Sequence, residues 1–98
     1  MAEVKYEPLV NKCTLSAEEV NFGETLTVTA NAENGSGEYK YDVYIKSTER
    51  TAWNTVQDFS EQTEINVTFK NKGAYDICIK VMDSYGTVSK TYTSVYVK

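Results

Sequence analysis

At 98 residues the chain has room for about one two-layer core, which would hide roughly 60–68% of its extended surface. A net charge of -4, with Lys and Arg scattered singly, excludes the basic patch that nucleic acid or an anionic membrane surface would need. Histidine is absent, which removes the usual general base near neutral pH, every Ser-His or Cys-His pair and the commonest metal ligand.

The leading stretch, Met1 to Val10, has neither an apolar signal-peptide core nor a small-residue cleavage site. Taken literally it is a cytosolic N-terminus. Taken as the start of a fragment, it leaves the signal far upstream in a longer chain. Residues 1–8 are read as a flexible N-terminal segment or a fragment start, and residues 9–98 as a single domain. Apolar runs of only a few residues cannot span a bilayer, so membrane insertion is not expected.

Threonine, valine and tyrosine are plentiful, and such side chains suit pleated, half-buried surfaces. Pro8 suits an edge, and Leu9 to Leu15 reads as the first strand. After Gly23, Leu26, Val28, Ala30 and Ala32 share one face while Thr27, Thr29 and Asn31 share the other, a half-buried second strand. Asn34-Gly35-Ser36-Gly37 marks a turn. Tyr39, Tyr41, Val43 and Ile45 then alternate with Lys40, Asp42, Tyr44 and Lys46. Residues 53–59, WNTVQDF, read as a short edge strand. Ile65, Val67 and Phe69 point inward from the next one.

Asn71-Lys72-Gly73 turns the chain. Tyr75, Ile77, Ile79 and Val81 face the core, against Asp76, Cys78, Lys80 and Met82 on the outer side. Tyr75 is expected to bond nearby backbone through its hydroxyl, as in a tyrosine corner. Asp83 to Gly86 closes a hairpin in which glycine takes the positive-φ position. In the last strand Val88 and the pair Val95 and Val97 have opposite parity. A β-bulge between Ser89 and Thr93 would bury all three. These strands and short turns predict an all-β, antiparallel two-sheet Ig-like β-sandwich of about seven strands.

Candidates for chemistry are few. Cys13 falls in the first strand and Cys78 in the sixth, which are not neighbours in such a sandwich. Two free thiols are expected, Cys13 as a small core residue and Cys78 on the surface. Trp53 reads first as a lid on one end of the core and second as a stacking platform for a sugar ring. Tyr44 faces outward, and Tyr85 sits in the hairpin. Trp53, Tyr44 and Tyr85 are the ligand-contact candidates, and two or more coplanar exposed rings among them would mark a sugar site. Lys40, Asp42, Lys46, Asp76 and Lys80 form a solvated charge ladder on the outer face. Lys90 has inward parity and is the one position where a lysine-asparagine crosslink could be considered, a reading set aside. Asp58 and Asp83 are too isolated for a calcium cluster. No catalytic residue, metal site or cofactor is expected.

The run from Gly23 to Ala32 resembles the second-strand signature of bacterial Ig-like surface modules. The stretches YKYDVYIK and AWNTVQDFS resemble their third and fourth strands. GAYDICIKVMDSYGTVSKT resembles their Gly-x-Tyr closing hairpin with Asp-x-x-Gly. The pattern is that of triple-tyrosine and polycystic-kidney-disease-type modules, which recur in tandem in secreted and wall-attached proteins of Firmicutes. It lacks the Trp-Asp-Phe-Gly-Asp-Gly element, which directs the resemblance to the triple-tyrosine group.

The resemblance implies a non-catalytic module of a larger protein, extracellular or attached to the cell wall. Such a module acts as a spacer or interaction domain beside its neighbouring domains. Alternatives are a carbohydrate-binding sandwich appended to a secreted hydrolase, with a glycan as partner, and the extracellular input region of a sensor kinase.

Overall fold

Period-two alternation builds two facing layers, as expected. The computed structural model describes residues 7–98; residues 1–6 of the expected leading segment lie outside the described residues. The described residues form strands β1 (Val10–Asn11), β2 (Thr14–Leu15), β3 (Glu19–Val20), β4 (Leu26–Thr29), β5 (Ala32–Glu33), β6 (Lys40–Ser47), β7 (Asn54–Ser60), β8 (Glu64–Val67), β9 (Gly73–Met82) and β10 (Val88–Val97), and no helix. One sheet has five strands in the order β3-β10-β9-β6-β7, the other three in the order β2-β4-β8, and β1 pairs with β5. This is the two-sheet Ig-like β-sandwich that the sequence predicts.

The core is the set of inward parities. Leu26 and Val28 from β4, Ile65 and Val67 from β8, and Val43, Ile77, Ile79 and Val81 from the larger sheet are all buried. Phe69 and Tyr75 close one end, with ring centroids 4.7 Å apart. The Tyr75 hydroxyl donates to the Asn71 carbonyl at 3.1 Å, so the expected tyrosine corner is present. Gly86 takes φ +82° in the hairpin, a conformation that costs an L side chain about 1–2 kcal/mol.

Several expectations need correction. The first strand is two pieces, β1 and β2, because Asn11 turns its side chain inward. Its Nδ2 donates to the Ile79 and Ser89 carbonyls at 2.9 and 3.2 Å, and its Oδ1 accepts from the Cys13 N–H at 3.1 Å. The second strand breaks at Ala30-Asn31 into β4 and β5. The pairing is not wholly antiparallel: β3 crosses to the larger sheet and runs parallel to β10, with Val20 opposite Val97.

No bulge interrupts β10. Its register with β9 is continuous from Val88–Met82 to Val97–Gly73. Val88 therefore faces outward and is exposed, as is Lys90, whose inward parity is overturned. The inward positions are Ser89, Thr91 and Thr93, only half buried, then Val95 and Val97, fully buried. The register shifts lie instead between β6 and β7, around Tyr41, Val43 and Tyr44. They fall on the edge strand, where an extra residue disturbs fewest ladder bonds.

Candidate functional site

Strands β6, β9 and β10 lay three rows of side chains across the outer face of the larger sheet. Tyr44, Cys78 and Tyr92 form the central row; Asp42, Lys80 and Lys90 lie on one side of it, and Lys46, Asp76 and Ser94 on the other. The connector between β6 and β7 returns over this surface. Lys46 Nζ fixes it by donating to the Arg50 carbonyl at 3.1 Å while pairing with Asp76 at 3.0 Å. The same ammonium stands 5.5 Å from the centre of the Trp53 ring, a cation–π contact that sets the indole over the sheet.

Trp53 precedes β7 rather than belonging to it, and it does not cap the core. Its ring meets that of Tyr92 at a centroid distance of 6.3 Å and an angle of 51°. The two rings converge above β9 from opposite sides. Cys78, expected on the surface, is 4% exposed beneath them. Its outward parity is correct, but the aromatic rings cover it. Both cysteines are free thiols, as expected, and burial pushes the half-buried Cys13 thiol above its ordinary pKa despite the backbone hydrogen bond at Asn31.

Tyr44, Trp53, Cys78, Lys80, Lys90 and Tyr92 together line an open cavity of about 170 Å³. Trp53 is 40% exposed and Tyr92 65% exposed, so both rings present apolar surface to solvent. The walls are a tilted pair of rings, not the coplanar set the sequence reading asked for. Lys80 Nζ stands 4.9 Å from the centre of the Tyr44 ring. Tyr44 donates its hydroxyl to Asp42 Oδ2 at 2.8 Å. This bond, then burial and the charges of Asp42 and Asp58, push the phenol pKa up.

Asp42 departs most from the solvated ladder that was expected. It is 2% exposed, and its second oxygen, Oδ1, has no hydrogen-bond partner among the described residues. A buried carboxylate with a single bond is costly. Lys80 lies directly across from it in the ladder, yet its ammonium is aimed at the Tyr44 ring instead of forming an ion pair with Asp42.

Other candidates have structural roles. Asp83 is buried where the β9–β10 hairpin meets the 34–37 turn. Burial alone would raise its pKa, but the N–H groups of Thr87, Ser36 and Tyr85 and the Ser36 hydroxyl outweigh it and hold the carboxyl below its usual range. The three N–H bonds measure 3.0, 3.2 and 3.0 Å. A calcium ion there would have to displace them. Gly35 packs against this carboxylate, and a Cβ on it would stand 2.8 Å from Oδ2. Tyr85, 72% exposed, belongs to this hairpin and does not line the aromatic cavity.

Two broader clefts of about 700 and 710 Å³ lie between β7 and β8 and beside Asp83. Their tyrosines, 75, 39 and 41, are buried or engaged with backbone and core.

Tyr92 is the contributor that sequence reasoning missed. Its only signal was a parity shared with Lys90 in β10, and the expected bulge obscured it.

No protein-family model matches the chain, and no curated protein matches it. Among solved structures, the chain is similar to one from work on the promiscuous specificity of carbohydrate-binding modules of the β-sandwich superfamily. The TM-score is 0.70 at 22% identity, over 94% of this chain and 35% of that one. The chain thus spans about a third of its length, and the likeness establishes a β-sandwich fold.

Proposed function

We propose that this chain is a glycan-binding β-sandwich module of a larger extracellular protein, with its site on the outer face of the five-stranded sheet. The observation that carries this reading is the cavity between Trp53, Tyr92 and Tyr44. Exposed aromatic rings offer flat apolar faces to the C–H faces of a pyranose, and the polar rim can bond its hydroxyls. Lys46 occupies one face of the indole, so the sugar stacks on the other. At about 170 Å³ the cavity falls below the roughly 300–1,000 Å³ of a drug-sized pocket, which suits one ring of a longer chain. The β-sandwich neighbour among carbohydrate-binding modules adds support from fold-level likeness. On this reading the module binds, and a neighbouring domain of the parent chain carries any chemistry.

Affinity electrophoresis in gels containing soluble polysaccharides tests the reading. Retardation by at least one glycan, lost in Trp53→Ala and in Tyr92→Ala with the fold retained, is the expected result. A spacer module with no ligand would migrate alike in every gel.

A further inference from the structure

Resting on the glycan-binding reading, we infer that the bound sugar is anionic, carrying a carboxylate or sulfate group that sits between Lys80 and Lys90. These two residues are directly opposite each other on β9 and β10, and both line the aromatic cavity. Like charges placed opposite each other across a ladder repel, so the pair carries a cost in the free protein that an anion would relieve. Neither lysine forms an ion pair with a carboxylate among the described residues.

The acidic groups nearby form no ion pair with either lysine. Asp76 holds Lys46 at 3.0 Å, and Asp42 accepts from Tyr44 at 2.8 Å. Asp58 acts on the Tyr44 side of the cavity. The site is therefore polarised, with Asp42 and Asp58 toward β6 and β7, and with Lys80 and Lys90, neither of them ion-paired among the described residues, toward β9 and β10. A pyranose stacked on Trp53 or Tyr92 keeps its ring substituents at the rim of the cavity. An acidic substituent directed to the lysine side meets both ammonium groups, and hydroxyls on the far side meet the Tyr44 end.

The test uses matched ligands in titration calorimetry: an oligogalacturonate, the same oligosaccharide fully methyl-esterified, and a sulfated galactan oligosaccharide. Because exposed charges are screened by salt, each is measured at about 20 mM and about 500 mM salt. One or both anionic ligands should bind about tenfold more tightly than the methyl ester at low salt, a ratio appropriate to two charge-assisted contacts. High salt, Lys90→Gln or Lys80→Gln should each erase most of that advantage, while Trp53→Ala abolishes binding of every ligand. The uronate and sulfate arms separate the two sources of negative charge. Equal or tighter binding of the methyl ester, still lost in Trp53→Ala, would overturn the anionic inference and leave the glycan reading standing. If no anionic or neutral glycan binds, both readings fail together.

Discussion

Replacing Tyr44 with phenylalanine removes a single hydroxyl and leaves Asp42 as a buried carboxylate with no hydrogen-bond partner among the described residues. Asp42 is 2% exposed, and among the described residues Oδ2 accepts only from Tyr44, at 2.8 Å, and Oδ1 has no partner. A hydrogen bond to a charged group is worth about 1.5–3 kcal/mol, and Tyr44→Phe should lose that amount. For a chain of this length each kcal/mol moves Tm by about 4–8 °C, so a fall of roughly 6–24 °C is expected.

The pH dependence gives a second readout. The Asp42 bond, burial and the surrounding charges raise the Tyr44 pKa above its ordinary value of 10.0. A group whose folded pKa is raised contributes stability below the unfolded value and loses it as pH climbs through the folded one. The native protein should therefore lose this contribution in the alkaline range above pH 10, and Tyr44→Phe should not. Tyr41, also raised chiefly by burial, contributes equally to both proteins, so the difference between their curves isolates Tyr44. Urea denaturation followed by Trp53 fluorescence, at pH 7 and in steps to pH 11, measures both effects. A Tyr44→Phe midpoint equal to the native one, with the same alkaline decline, would refute the role assigned to this bond.

Further outcomes follow from burial and charge. Ile77→Ala, at a position with 0% exposure, should cost about 2–4 kcal/mol in chemical denaturation. Val88→Ala, at 41% exposure, should change stability by no more than about 0.5 kcal/mol, whereas a bulged β10 would make Val88 costly to remove. The lowered pKa of Asp83 means its stabilisation is present above the ordinary carboxylate value of 3.8 and disappears as pH falls through the folded value. Asp83→Asn should therefore lower Tm at pH 7 and narrow its gap to the native protein near pH 2; parallel Tm curves would contradict the assignment. Trp53→Ala should speed iodoacetamide labelling of Cys78, read by peptide mass spectrometry, because the indole is part of what covers the thiol. An unchanged labelling rate would place the cover elsewhere.

The parity of β4, β8 and β9 was legible because alternation is a local property. Leu26 and Val28, Ile65 and Val67, and Tyr75, Ile77, Ile79 and Val81 all turn inward as their spacing dictates. Parity names a face but says nothing about what covers it. Cys78 and Asp42 lie on the outer face by spacing and are nonetheless buried, because Tyr44, Tyr92 and the connector bearing Trp53 fold over them. The β10 misreading has a related cause. Burying Val88 looked favourable, but the inner positions at that end face a smaller sheet. Ser89, Thr91 and Thr93 suffice there, and Asn11 Nδ2 satisfies the Ser89 carbonyl.

By itself the sequence determined an all-β sandwich, its inward side chains, the tyrosine corner and the positive-φ glycine of the closing hairpin. Each follows from residues within one strand or turn. Only the tertiary structure decided that Trp53, Tyr44 and Tyr92 share a cavity and that Lys80 faces Lys90 beside it. That meeting depends on strand order and register, and on the return of a connector across three strands. Those are set by how two unequal sheets pack, a balance of distant contacts that no local pattern encodes.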